Sequence, residues 1–208
     1  MEAAQTGGST DETRRRFAAA RAGLAGDERS VRAFLDDRAA PVRAAAIVAL
    51  VTMGRSRPAD VRRALGDPDP RVRRATCELA GNLPRADFTA LLGDPDPTVV
   101  EAAAFAVGET GDRRACPRLA AIAGSHADPL CRESAVAALG AIGDDAGRAA
   151  VLAALGDTPA IRRRAVVALA AFGGPDVELA LRQRLTDHDW QVRQAAQEVL
   201  GISGFGPR

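Results

Sequence analysis

The sequence predicts an all-α protein, a solenoid of stacked antiparallel helix pairs. Three observations predict it. A ten-residue phrase, GDPDPRVRRA at 66–75, returns as GDPDPTVVEA at 93–102. Its apolar anchor, Val72, has counterparts at Val42, Val99, Cys131, Ile161 and Val192, and the successive spacings are 30, 27, 32, 30 and 31 residues. The composition is 47% hydrophobic but only 3% aromatic, with alanine prominent. A thick globular core needs large side chains, whereas thin layers of helix pack well on Ala, the best helix former. Repeats of this length are helix–turn–helix units that bury their apolar faces only by stacking.

Residues 1–12 are polar and rich in Gly, Ser and Thr, and are expected to be disordered. A single solenoid is expected over 13–201, with a tail at 202–208. A degenerate first repeat occupies 13–36: residues 14–26 form its helix A, with Phe17, Ala20 and Leu24 as the apolar stripe, and 28–35 its helix B. Anchored repeats start near residues 37, 67, 94, 127, 157 and 187.

After each anchor but Ile161, whose plus-three residue is Arg164, apolar or small residues fall at plus three, four, seven and eight. They are Ala45, Ala46, Ala49 and Leu50 after Val42, and Ser134, Ala135, Ala138 and Leu139 after Cys131. That is the stripe of an amphipathic helix, with small residues where another helix comes close. Shorter apolar segments at 58–65, 85–92, 146–155 and 176–185 supply the B helices.

The repeated phrase is boundary chemistry. The first Asp-Pro stops a helix, because proline disfavours helix in the residue before it. The second Asp, Asp69 or Asp96, is placed to cap the next helix, and Pro70 or Pro97 takes its first position, where no N–H is missed. The last repeat has a helix A at 191–200 and no length for a helix B. Its flank is expected to be covered by Ile202 and Phe205 of the tail, or by a second molecule in a weak dimer; otherwise the chain is a monomer. Trp190 is the only tryptophan. It is read as part of a cap under the tail or as an interface anchor.

The pattern D-x-D-P-x-V-R-x-x-A-A-x-x-A-L-G resembles the HEAT-like repeats of the phycobilisome-lyase type, over roughly residues 14–201. The resemblance implies a right-handed α-solenoid with A helices on the convex side and B helices on the concave side. It also implies that the arginines after the anchors, Arg43, Arg73, Arg132, Arg162 and Arg193, pair with loop aspartates of adjacent repeats, a ladder that Val100 interrupts. Relatives of this type are mostly protein-interaction scaffolds. Minorities are bilin lyases or their subunits, or look like alkylpurine DNA glycosylases. The functional motifs of neither minority occur here, so no catalytic residue is carried over.

All 28 basic residues are Arg and formal net charge is +1. An Arg-only basic set reads as the codon bias of a GC-rich bacterial genome. The near-neutral total lacks the global basic character of a dedicated nucleic-acid binder. Cys77, Cys116 and Cys131 are odd in number and irregularly spaced, so they are no disulfide framework. The apolar run at 44–53 is too short to span a bilayer. The first residues lack the pattern of a secretory signal. A cytoplasmic protein without membrane partners is expected.

His126 and His188 fall in inter-repeat loops without a nucleophile at a recognised spacing. Cys116, His126 and Cys131 match no zinc-ligand spacing. No catalytic residue, metal or cofactor is expected. Arg164 sits at anchor plus three, where its stem packs and its head reaches the edge, or where it holds a partner's carboxylate or phosphate.

The B segments and their lead-in turns carry Arg62, Arg63, Arg118, Arg148, Arg182 and Arg184. If they line the concave side, that face is net basic. The expected function is therefore a non-enzymatic protein–protein scaffold that binds an extended or acidic partner on this face. The alternative is a nucleic-acid-associated protein whose basic groove tracks phosphates, although aromatics for base stacking are lacking. An enzyme or enzyme subunit of the bilin-lyase kind is the weaker alternative.

Overall fold

The computed structural model describes residues 3–202. Among the described residues there are twelve α-helices and no strands. The chain divides into two compact units, residues 1–106 and 107–208. The first holds α1 (Ala3–Leu24), α2 (Glu28–Ala33), α3 (Ala40–Thr52), α4 (Pro58–Leu65), α5 (Pro70–Cys77) and most of α6 (Pro97–Thr110). The second holds the end of α6 and then α7 (Cys116–Ser125), α8 (Pro129–Ile142), α9 (Asp145–Ala153), α10 (Pro159–Leu169), α11 (Pro175–Arg184) and α12 (Trp190–Val199). In the first unit α1, α3 and α5 pack side by side as A helices. In the second, α8, α10 and α12 form the A layer, and α7 packs on both α8 and α9.

The anchors are the floor of each repeat. Val42, Val72, Val99, Cys131, Ile161 and Val192 are all buried. Each apolar side chain of this size contributes about 1.5–3 kcal/mol on burial. Position plus five is buried too in five of the six repeats, as Ile47, Cys77, Ala104, Val136 and Val166. The A-helix stripe is therefore one residue wider than the periodicity predicts. Thr76 is buried within it and donates its hydroxyl to the Val72 carbonyl at 2.8 Å, so it leaves no unpaired polar atom.

The expected caps form. Asp69 accepts from Arg71 N–H and Asp96 from Thr98 N–H, each at 2.9 Å, and the following prolines begin α5 and α6. Asp128, Asp144 and Asp189 do the same for α8, α9 and α12.

Small residues set how closely A helices approach. A Cβ on Gly140 would lie 2.6 Å from Ala168 Cβ, and one on Gly108 would lie 3.1 Å from Ala138 Cα. Both glycines are nine residues past their anchor, and both alanines seven past the next.

The same geometry corrects the register of α1. Phe17 and Leu24, expected on its buried stripe, are 64% and 92% exposed, whereas Ala19 is fully buried. A Cβ on Gly23 would meet Ala49 Cβ at 2.7 Å. Close approach to α3 selects the small face of α1 and turns the large side chains outward. Gly23 is thus the counterpart of Gly108 and Gly140, which puts the first anchor at Arg14. The helix also begins at Ala3, ahead of the boundary expected near 13.

A second departure lies at 85–92, expected as a helix B. Residues 83–88 are irregular, and only a 3-10 turn at Thr89–Gly93 follows. The spacing from Val72 to Val99 is the shortest in the chain, 27 residues. Pro84 and Asp87, whose carboxylate accepts from Thr89 N–H, use up what remains before the next Asp-Pro. Ile202 is 48% exposed, and Phe205, the other residue expected to cover the last helix, lies outside the described residues.

Candidate functional site

Two groups of arginines differ in what they touch. The first set follows the anchors. Arg43 reaches the next loop and donates two hydrogen bonds to Asp67, Nε at 2.8 Å and Nη2 at 2.6 Å, while its Nη1 donates to the Asp37 carbonyl at 2.9 Å. Arg73 repeats this on Asp94 and the Asp67 carbonyl. Arg132 does so on Asp157 and the His126 carbonyl, and Arg162 on Asp187 and the Asp157 carbonyl. Arg193 ties its own loop through the Asp187 carbonyl at 2.7 Å. Arg15 takes the same place in α1, with Nε 2.8 Å from Asp37.

The loop aspartate is the hub of each rung. Asp37, Asp67, Asp94 and Asp187 each accept a backbone N–H two residues on, at 2.8–2.9 Å, besides the guanidinium. The first Asp of the repeated phrase is thus a cross-link as well as a helix stop. A paired, hydrogen-bonded carboxylate favours its charged form. The Arg162 guanidinium and the Asp189 N–H hold Asp187 at about 2 against burial. Burial raises Asp67, and Arg43 with the Asp69 N–H outweighs it, so its pKa also lies low. Val100 stands buried in the arginine's position of α6, and the loop after α7 carries His126 in the aspartate's position. His126 Nδ1 accepts the Asp128 N–H at 3.1 Å, preserving the loop without the charge.

The second set lies on the helix-B segments, where six arginines are expected to meet a partner. Three of the six tie successive B segments together. Arg63 donates to Asp36 at 2.6 Å, Arg148 to the Gly173 carbonyl at 3.1 Å with Asp176 at 3.6 Å, and Arg184 to the Leu155 carbonyl at 3.4 Å. Arg32, not singled out from the sequence, joins α2 to α4 through Asp60 at 2.7 Å. Among the described residues Arg182 pairs only within its own helix, with Glu178 at 2.6 Å. Arg62 and Arg118 are exposed and make no ion pair among the described residues, and Arg85 resembles them.

Arg164 lies at the edge of the A layer, where it donates to Glu133 of α8 at 3.1 Å. Trp190 is 61% exposed at the start of α12. The three cysteines are buried, and burial pushes the Cys77 thiol up to about 12. Among the described residues no three His, Cys, Asp or Glu side chains are grouped to hold a metal, and no helix is long and apolar enough to cross a membrane.

A cleft of about 420 Å³ opens in the first unit between α4 and residues 82–87. Val61, Leu65, Leu83 and Pro84 line it, with Arg57, Arg62 and Arg85 at its rim.

Comparison with curated proteins gives no match. Solved structures do match in fold. A designed armadillo repeat protein in complex with the peptide (KR)4 superimposes with TM-score 0.63 at 15% identity, over 85% of this chain and 99% of that one. An engineered protein from a structural-genomics programme gives 0.62 at 19% identity, over 84% and 95%. The complex of CpcE and CpcF of phycocyanin lyase from Nostoc sp. PCC7120 gives 0.60 at 23% identity, over 86% and 77%. At these identities the likeness is one of fold, the all-α stacked-repeat architecture that the periodicity predicts. A family model of HEAT repeats matches residues 85–160 and 148–208, more than half of the chain, and the protein belongs to the HEAT-repeat family.

Proposed function

We propose that this chain is a non-catalytic scaffold that binds an extended, acidic segment of another protein on its helix-B faces. One observation carries the reading. Four of the five arginines after the anchors, Arg43, Arg73, Arg132 and Arg162, are held by aspartates, whereas Arg62, Arg85 and Arg118 are exposed on or beside B helices with no ion pair among the described residues. An exposed guanidinium without a partner is free to make charge-assisted, bidentate hydrogen bonds to a ligand carboxylate. Local excess of one sign also steers an oppositely charged segment, whatever the net charge of the chain. The designed armadillo neighbour was solved with a basic peptide. Here the exposed charge is positive, so complementarity calls for an acidic one.

Fluorescence anisotropy of a labelled Glu-rich peptide, titrated with salt beside random-sequence DNA, tests this. Binding of the peptide that weakens with salt and is lost in an R62E/R118E variant is the expected result. No binding at low salt overturns the reading. DNA binding in preference to the peptide, with a steep fall of log affinity against log salt, overturns it in favour of phosphate recognition.

A further inference from the structure

The cleft between α4 and residues 82–87 exists because the repeat there is short. In the second unit α9 and α11 follow their A helices as regular B helices, whereas residues 83–88 run irregularly and leave the flank of α4 open. The floor is apolar: Val61 and Leu83 are nearly buried, and Leu65 and Pro84 complete it. The rim is cationic. Arg62 and Arg85 have no ion pair among the described residues, and Arg57 has only a distant one, 3.6 Å from Glu28. Asp87 is the one carboxylate among the lining residues, and it already accepts from the Thr89 N–H and hydroxyl at 2.9 and 2.6 Å. Volume and lining fall within the usual range for a preformed site, apolar walls with a few convergent polar groups.

We infer that this cleft is the anchor pocket of the helix-B face: it takes one large apolar side chain, Phe or Leu, of an extended partner segment whose flanking acidic residues pair with Arg57, Arg62 and Arg85. The inference rests on the acidic-partner reading above and gives it a sequence signature, acidic–apolar–acidic. The apolar floor supplies what acidic residues alone cannot use. A desolvated apolar anchor ringed by polar contacts is where interface energy concentrates. The cationic rim rejects a segment flanked by Lys or Arg, so the same site selects as well as binds.

Two labelled peptides test it, each Glu-rich and differing only in a central Phe or Ala. The Phe peptide is expected to bind about tenfold more tightly, which is about 1.4 kcal/mol. Filling the cleft with Ala86→Trp should remove that difference while leaving the Ala peptide's affinity unchanged. Ser56→Trp, from the opposite wall, serves the same purpose if the first variant does not fold by circular dichroism. Equal affinity of the two peptides, or a preference for Phe that survives both fillings, overturns the cleft and leaves the acidic-partner reading standing. Failure of both peptides to bind overturns the two together. Phenylacetate displacing the Phe peptide at matched concentration overturns it in favour of a small carboxylate ligand.

Discussion

Replacing Asp187 by Asn should weaken the second unit by roughly 2–3 kcal/mol, within the range for hydrogen bonds to charged groups. The carboxylate is 4% exposed and its partner Arg162 18%. Oδ1 accepts from Asp189 N–H at 2.9 Å and from Arg162 Nη2 at 2.8 Å, and Oδ2 from Arg162 Nε at 3.0 Å. Its pKa is lowered from 3.8 to about 2, chiefly by Arg162. At 1.36 kcal/mol per pKa unit, that depression corresponds to roughly 2 kcal/mol of preference for the charged form in the folded state. Asn keeps an acceptor for the Asp189 N–H but loses the charge and turns a donor towards a guanidinium. Ala loses the N–H acceptor as well and should cost about 1 kcal/mol more.

The assay is urea unfolding followed by far-ultraviolet circular dichroism and by fluorescence of Trp190, three residues away. The control is Asp176→Asn, an exposed partner 3.6 Å from Arg148, which should change stability by less than about 0.5 kcal/mol. If Asp187→Asn unfolds within about 0.5 kcal/mol of the parent at an unchanged denaturant slope, the rung is not what holds these repeats together.

The same pKa shift fixes a pH dependence. Asp187 titrates lower folded than unfolded, so its contribution is complete above about pH 4 and is lost as pH falls towards 2. Acid unfolding in that window should flatten in the Asn variant. Arg43→Ala, which leaves Asp67 buried without its cation, should cost about 3 kcal/mol, whereas Arg62→Ala and Arg118→Ala should leave the melt within about 0.5 kcal/mol. Gly140→Ala puts a methyl 2.6 Å from Ala168 Cβ and should destabilise by about 1–3 kcal/mol. Gly124→Ala in α7 meets nothing within 4 Å and should stabilise by about 0.5–1 kcal/mol. Leu119→Ala empties a fully buried site and should cost about 2–5 kcal/mol in the same denaturation series.

The stacked-helix architecture is legible in the sequence wherever the apolar anchor and the Asp-Pro coincide. Three positions, Val72, Val99 and Cys131, have both, and each signals a helix start by local chemistry alone. The register of α1 is not legible from apolarity. Its two large side chains, Phe17 and Leu24, outrank its small ones on any hydrophobic scale, yet close helix approach selects Ala19 and Gly23. A different signal was there: Arg15 precedes Gly23 by eight residues, as Arg132 precedes Gly140.

The missing helix at 85–92 is foreshadowed only by the short 27-residue spacing. Which arginines are free is not legible at all. Arg62 and Arg63 are neighbours with the same local context, and they differ because Asp36 lies within reach of one and not of the other. That is a property of stacking, which one-dimensional spacing does not encode. The cleft follows from the same cause, since a site made by an absent helix has no motif of its own.

The central claim is that rung arginines hold the fold while the exposed arginines on or beside the B helices, Arg62, Arg85 and Arg118, hold a partner. One set of samples tests it most directly: the parent, R43E/R162E and R62E/R85E/R118E, each melted and each titrated with the labelled Glu-rich peptide. The account predicts that R62E/R85E/R118E melts like the parent and has lost peptide binding, and that R43E/R162E melts markedly lower. Loss of stability in the helix-B variant equal to that in the rung variant, or full peptide binding by the helix-B variant, would contradict it.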